Sequence, residues 1–337
     1  MSWSRVLSFT DPIAFQAAIP SADVEVLPTT RDEFNVCLTQ VDAGRLRLQR
    51  FQISSPHISI VSYKPGRRSI DFLTECNTSR LQHCGRKIFP GDIIVNGFDV
   101  VHRRASSNLH YGAISLPIEE LDAAINAIIG MEITRSPSHS IVHPHPKLVS
   151  RLLKLHKAAG QLAHDAPDLL QLPEVLRALE TELIRVIARC LANGIELETT
   201  TGGRRHDAII ARFEEFLEAN PDRPLYLTEI CAGIGVAERT LRASCEEYLG
   251  MGPIRFLTLR RMHLARRALL RADPLTSTVT RIVTDHGFWE LGRFSGAYRE
   301  LFGESPSDTL RRPAQRARIH LNRPSSLPAD VIVGLPN

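Results

Sequence analysis

The chain has 337 residues, of which 43% are hydrophobic and 23% charged, with a formal net charge of +4. That composition excludes a low-complexity or disordered polymer, the length suits two domains with separate cores, and the mild charge permits nucleic-acid binding without demonstrating it. No basic start followed by an apolar run precedes Asp11 and no segment reaches 18 apolar residues, so neither secretion nor a membrane span is predicted. Cysteines at 37, 76, 84, 190, 231 and 245 lack CxxC or any other paired metal spacing, which fits reduced thiols in a cytoplasmic protein.

From about Val24 to Leu116 the chain predicts short strands. The runs 32–41, 44–53, 57–63, 69–73, 81–88, 92–96 and 112–116 are rich in Val, Ile, Phe and Leu and are bounded by Gly, Pro, Asn or Ser. Regular short strands favour a sandwich or barrel, and a pocket lined by Phe51, Ile60, Phe72 and Ile94 is expected between its inner faces. His57, His83, His102 and His110 fall in this region without a ligand spacing or a carboxylate cluster, so they are expected at the surface or hydrogen-bonded.

Helices are predicted from Ile118 to Gly130, from Pro146 to Asp165 and from Leu172 to Gly194. In the last, Val175, Leu179, Leu183, Val186, Ile187 and Cys190 make one apolar stripe, suited to packing on the sheet or on a second copy of the same helix. Residues 1–195 are therefore expected to form a first domain, to which the resemblance described below gives a sensor or dimerisation role. The polar stretch 196–207 is expected as a flexible linker, 208–313 as a second domain and 314–337 as a disordered tail.

Within the second domain one small helical device occurs twice. Leu227, Ile230, Cys231 and Ile234 recur at helical spacing behind Thr228 as an N-cap, Gly235 breaks the helix, and Val236, Leu241 and Cys245 restart the pattern. The second copy sets Ile282 and Val283 where Ile230 and Cys231 stood, Gly287 where Gly235 stood, and Phe294 and Tyr298 for Leu241 and Cys245. This is the pattern of a helix-turn-helix, in which glycine supplies the positive φ of the turn. Between the copies, Pro253 to Ala272 predicts a helix with six arginines and no acid. Lysine stops at Lys157, so every later cationic side chain is arginine, the residue suited to bidentate contact with guanine or phosphate.

The tandem arrangement, with Gly287–Phe288, Phe294–Ser295, the run Phe302 to Pro306 and Leu310–Arg311, resembles the DNA-binding domain of AraC/XylS-type transcriptional regulators. The resemblance covers about a hundred residues. It implies double-stranded DNA as partner, with two recognition helices in successive major-groove segments, RNA polymerase as a further partner, activation of transcription, a homodimer and a small-molecule effector. Carried over by position, the base readers are Arg239, Arg242 and Ala243 in the first unit and Leu291, Gly292, Arg293 and Gly296 in the second. Gly292 and Gly296 depart from the family's polar readers, so the first unit is expected to carry most direct readout.

For Arg260, Arg261, Arg266, Arg267 and Arg299, phosphate contact competes with ion pairs to acids such as Glu246 or Glu247; Arg266 and Arg299 are carried forward as DNA contacts. Trp289, at the entrance of the second recognition helix, suits either core packing or a sugar-phosphate contact. The run Phe89 to Arg103 resembles the later part of the cupin-like sensor domains that precede many such DNA-binding domains. The histidine-rich first motif of metal-binding cupins is missing, so no metal or other cofactor is expected.

The fold expectation is therefore α+β, a β-rich cupin-like sandwich or barrel followed by helices, then an all-α double helix-turn-helix domain. A catalytic reading finds no GxSxG, phosphate loop, HExxH or nucleophile with a base. Its remaining form is a cupin-like metal-dependent enzyme fused to a DNA-binding module. A non-specific DNA-bending protein is the other alternative, disfavoured by two distinct recognition faces.

Overall fold

The computed structural model describes residues 3–75, 80–97, 100–130, 139–197, 201–220 and 225–312. Cys76 and the expected tail 314–337, with Arg316, Arg318 and Arg323, lie outside them.

The N-terminal strands are β1 (Trp3–Phe9), β2 (Ala22–Pro28), β3 (Val36–Asp42), β4 (Arg47–Ile53), β5 (His57–Tyr63) and β6 (Arg67–Leu73), with α1 (Pro12–Ala17) after β1. There follow β7 (Leu81–His83), β8 (Arg86–Ile88), β9 (Ile93–Val95), β10 (Val101–Ala105) and β11 (Leu109–Pro117). Next come α2 (Ile118–Ile129), β12 (Ser140–His143), α3 (Pro146–Asp165), α4 (Pro173–Asn193) and β13 (Ile195–Leu197). The strands build an eight-stranded sheet in the order β1-β3-β4-β11-β6-β9-β12-β13 and a five-stranded sheet in the order β2-β5-β10-β7-β8.

Two features of this region differ from the sequence reading. β1 and α1 precede the expected strand region, with Asp11 capping α1 through Ala14 N–H. The run 81–88 is a hairpin and not one strand, because Cys84 (φ 46°) and Gly85 (φ 73°) both take positive φ, as a two-residue turn of this hand demands.

The C-terminal helices are α5 (Thr201–Glu218), α6 (Leu227–Ile234), α7 (Glu238–Leu249), α8 (Pro253–Arg271), α9 (Val279–Asp285), α10 (Leu291–Phe302) and α11 (Pro306–Arg311). Part of the stretch expected as a linker is thus structured. β13 pairs with β12 through Ile141↔Leu197, and α5 begins at Thr201.

The described residues stack in four layers. Helices α2, α3 and α4 cover one face of the eight-stranded sheet, with Phe72, Ile93, Leu121, Leu152, Leu183 and Ile187 in the shared core. Between the sheets lie Phe15, Val26, Phe51, Ile94 and Tyr111. The outer face of the five-stranded sheet, with Leu27, Ile58, Ile60 and Val101, then packs directly on Ile209, Phe213, Ile230, Leu241 and Tyr248 of the first helix-turn-helix. A separate small core of Met262, Leu269, Val283, Phe294 and Tyr298 holds the second.

Both faces of each sheet are therefore buried over much of their length, and the period-two alternation decides which neighbour a side chain meets. Of the four residues expected to line one pocket, Phe51 does so; Phe72 points to the helices and Ile60 to the first helix-turn-helix. Ile94 lies between the sheets away from the cavity wall.

Candidate nucleic-acid interface

The two helix-turn-helix units share their local chemistry. Gly235 ends α6 at φ 66° and Gly287 follows α9 at φ 77°, so at both turns the backbone enters the left-handed region that glycine occupies without strain. Tyr226, and not Thr228, occupies the N-cap of α6; Thr228 is already inside the helix. Thr278 caps α9 by accepting from Arg281 N–H.

Beneath α7, Leu241, Cys245 and Tyr248 are buried, and beneath α10, Phe294 and Tyr298. Tyr298 is fixed by a 2.8 Å hydrogen bond with Thr309 on α11, and burial pushes its hydroxyl up to about 12. These anchors leave Arg239, Arg242, Ala243 and Glu246 exposed on α7, and Leu291, Gly292, Arg293, Gly296 and Arg299 exposed on α10. Arg242 lies 2.5 Å from Glu238 and Arg293 lies 2.8 Å from Glu290, both as surface pairs within one helical turn. Exposed pairs of this kind are worth only about 0.3–0.5 kcal/mol, so a base or phosphate can displace them.

Helix α8 behaves differently from a basic helix lying over phosphates. Arg260 and Arg267 reach Glu25 of β2 at 3.4 and 3.6 Å. Arg261 stacks over Phe288 at 5.1 Å. Arg266, carried forward as a DNA contact, pairs with Glu304 at 3.3 Å and covers the Phe302 ring at 4.9 Å. Its guanidinium is held by the second unit's own structure. Of the six arginines on α8, Arg255 and Arg271 remain exposed.

Polar contacts cross from the first domain to the second beside the apolar layer. His102 Nε2 of β10 and Glu214 of α5 meet at 3.1 Å, both buried, a carboxylate partner that chain spacing did not disclose. His263 Nε2 of α8 donates to the Pro28 carbonyl at 3.0 Å. The end of α7 approaches β10 so closely that a Cβ on Gly250 would stand 2.0 Å from the Arg104 guanidinium.

Between the sheets is a cavity of about 70 Å³, walled by Phe15, Val24, Val26, Phe51, Tyr63 and Tyr111 among others. Its polar end is Arg103, which donates to Asp71 and Tyr63 at 2.5 Å and to Asn96 at 3.0 Å. Arg103 is thus neutralised in place, and the buried Tyr111 lines the same cavity. Burial holds the Tyr63 and Tyr111 hydroxyls un-ionised, well above the ordinary phenol range.

One cluster escaped the sequence reading, because His139 lies more than fifty residues beyond His83 and Cys84. His83, Cys84 and His139 each bring a ligand atom within 4.8 Å of the others. His83 Nδ1, however, accepts from Arg103 Nε at 3.3 Å, which leaves the proton on Nε2. Burial and the adjacent guanidinium also hold His83 well below the usual histidine range. This arrangement presents a proton and a positive field where a metal would need a lone pair.

Two helix-turn-helix units with exposed second helices, joined by α8, define a double helix-turn-helix domain. Residues 230–312, the stretch whose motifs resemble the AraC/XylS type, match the family model described as a helix-turn-helix domain. The chain is 36% identical over 147 residues to the probable thc operon regulatory protein of Rhodococcus erythropolis, covering 41% of this chain and 44% of that one. It is 32% identical over 99 residues to XylDLEGF operon transcriptional activator 2 of Pseudomonas putida, covering 29% and 63%. The chain thus spans less than two thirds of the length of either relative. The solved AraC-like transcriptional activator CuxR aligns over 79% of this chain and 95% of its own, at 15% identity and a TM-score of 0.39. Among the described residues no helix is long and apolar enough to cross a membrane.

Proposed function

We propose that the protein is a cytoplasmic, sequence-specific regulator of transcription that binds double-stranded DNA, without enzymatic activity of its own. The observation that carries this reading is the pair of exposed faces on α7 and α10, each fixed from below by buried aromatic or aliphatic side chains. Arg239 and Arg242 supply donors to base edges in the first unit. Relatives named as operon activators support activation; RNA polymerase is the partner that activation would require.

The N-terminal domain acts as the sensor. A cavity of about 70 Å³ has room for roughly five waters, so a larger effector has to push its walls apart. Those walls connect directly to the DNA-binding domain. On β2, Val24 and Val26 face the cavity, while Glu25 between them holds Arg260 and Arg267 of α8. Displacement of one strand therefore shifts the helix that joins the two units, and the coupling is reciprocal between effector and DNA. A groove between α2 and α4, lined by Ala123, Ala124, Ala127, Ile128, Ile184 and Ala188, is the surface on which a second copy packs in the homodimer.

Selection of binding sites from random duplexes by the full chain tests the reading. A recovered motif bound at least a thousandfold more tightly than bulk DNA is the expected result; a specificity ratio near unity would leave an architectural protein. Thermal-shift screening of the full chain against metabolites, followed by DNA titration with each hit, tests the sensor. A hit that leaves operator affinity unchanged would sink the coupling.

A further inference from the structure

The second recognition helix offers DNA an unusual surface. Trp289, just before α10, is 71% exposed, and Leu291 at its first position is 36% exposed, although both are large and apolar. Next to them the helix is bare, because a Cβ placed on Gly292 or Gly296 would have no atom within 4 Å. Gly292 and Gly296 stand one turn apart on the outward side, opposite buried Phe294 and Tyr298. The nearest cation on this turn, Arg293, is turned to Glu290. The face is thus an apolar rim beside a shallow notch floored by backbone.

Gly292 and Gly296 give this face no side-chain hydrogen bonds, which leaves charged donors only at its margins, on Arg293 and Arg299. It can admit a protruding apolar group closely. In the major groove only one base presents such a group, the C5 methyl of thymine. Exposed Trp and Leu side chains gain by losing water against that methyl, and the missing Cβ atoms let the helix backbone approach the groove floor.

We propose that the second unit reads thymine, with C5 methyl groups seated over Gly292 and Gly296 and packed against Trp289 and Leu291. This rests on the DNA-reading function proposed above and assigns chemistry to the half of the site in which arginine readers are scarce. Specificity in the two halves then has different origins: arginine donors under α7, and shape and methyl contact under α10.

The test uses the full chain and the motif recovered by selection, resynthesised with deoxyuridine replacing thymidine under the second unit. Deoxyuridine keeps the hydrogen-bonding edge and removes only the methyl. Each lost contact should weaken binding about fourfold, from about 0.8 kcal/mol per buried carbon. Gly292→Ala and Gly296→Ala provide the protein side of the test. Their added Cβ meets nothing within the chain and alanine is the better helix former, so folding should hold or improve. Both variants should nevertheless bind the thymidine duplex several-fold less tightly and lose the difference between thymidine and deoxyuridine. Equal binding of the two duplexes by the native chain, or alanine variants that bind as the native chain does, would overturn the assignment while leaving sequence-specific binding intact. Failure to recover any motif would instead remove the DNA-reading function and the assignment with it.

Discussion

His102 of β10 and Glu214 of α5 meet at 3.1 Å in the layer where the five-stranded sheet packs on the first helix-turn-helix, and neither side chain reaches solvent appreciably. Removing one partner leaves the other polar group buried without compensation, at a cost of roughly 1–3 kcal/mol. His102→Ala should therefore separate the domains before it unfolds either. Calorimetry should show one transition dividing into two, with faster amide exchange along α5. An unchanged single transition would show that the apolar layer alone holds the domains.

Arg239→Ala and Arg242→Ala should each cost roughly 1–3 kcal/mol of binding and relax preference at particular base pairs. Arg266→Ala should act otherwise than a phosphate contact would. Because Arg266 is held by Glu304 and Phe302, its loss should lower the stability of the second unit and reduce DNA affinity only as that unit loosens. Binding to a mutated operator library, read beside urea melts of the same variants, separates the two effects. An Arg266→Ala chain of native stability with uniformly weakened DNA binding would restore the phosphate role.

The helix-turn-helix units were legible in the sequence because they rest on local constraints: Gly235 and Gly287 at positive φ, with apolar positions spaced for one buried helix face. The sheets were legible as strands but not as faces. In β5 the first five residues are all buried, since the cavity side and the DNA-binding side are both covered, and no alternation survives to orient Ile60. The same double burial misplaced Phe72. The Arg266–Glu304 pair was not legible because its members are 38 residues apart, on α8 and just after α10.

These corrected placements predict different phenotypes from strands β5 and β6, consecutive in the chain but in different sheets. Phe72→Ala should cost roughly 3–5 kcal/mol by opening a hole in the helix-sheet core. Ile60→Asp should instead place a carboxylate in the interdomain layer and undock the domains. Small-angle scattering should report an extended chain for Ile60→Asp alone. A compact Ile60→Asp chain would remove Ile60 from the docking layer.

Docking should also depend on pH through His263. Burial, opposed only in part by its hydrogen bond to Pro28, lowers its pKa from 6.5 to about 4, with Arg266 and Arg267 adding to the depression. The folded state thus holds His263 neutral while the unfolded chain protonates it near 6.5, so its stability is fully present above that pH. It is lost as pH falls through 6.5 toward 4, reaching about 3 kcal/mol at the lower end. His156, lowered to about 3 by burial within the N-terminal domain, has the same sign, so the native chain alone cannot separate them. His263→Gln can keep the donor to the Pro28 carbonyl while removing the titration. Between pH 6.5 and 5, above most carboxylate titration, the protection of α8 amides, taken relative to their intrinsic exchange rates at each pH, should fall in the native chain and stay flat in His263→Gln. Parallel curves for the two proteins would assign the pH dependence elsewhere.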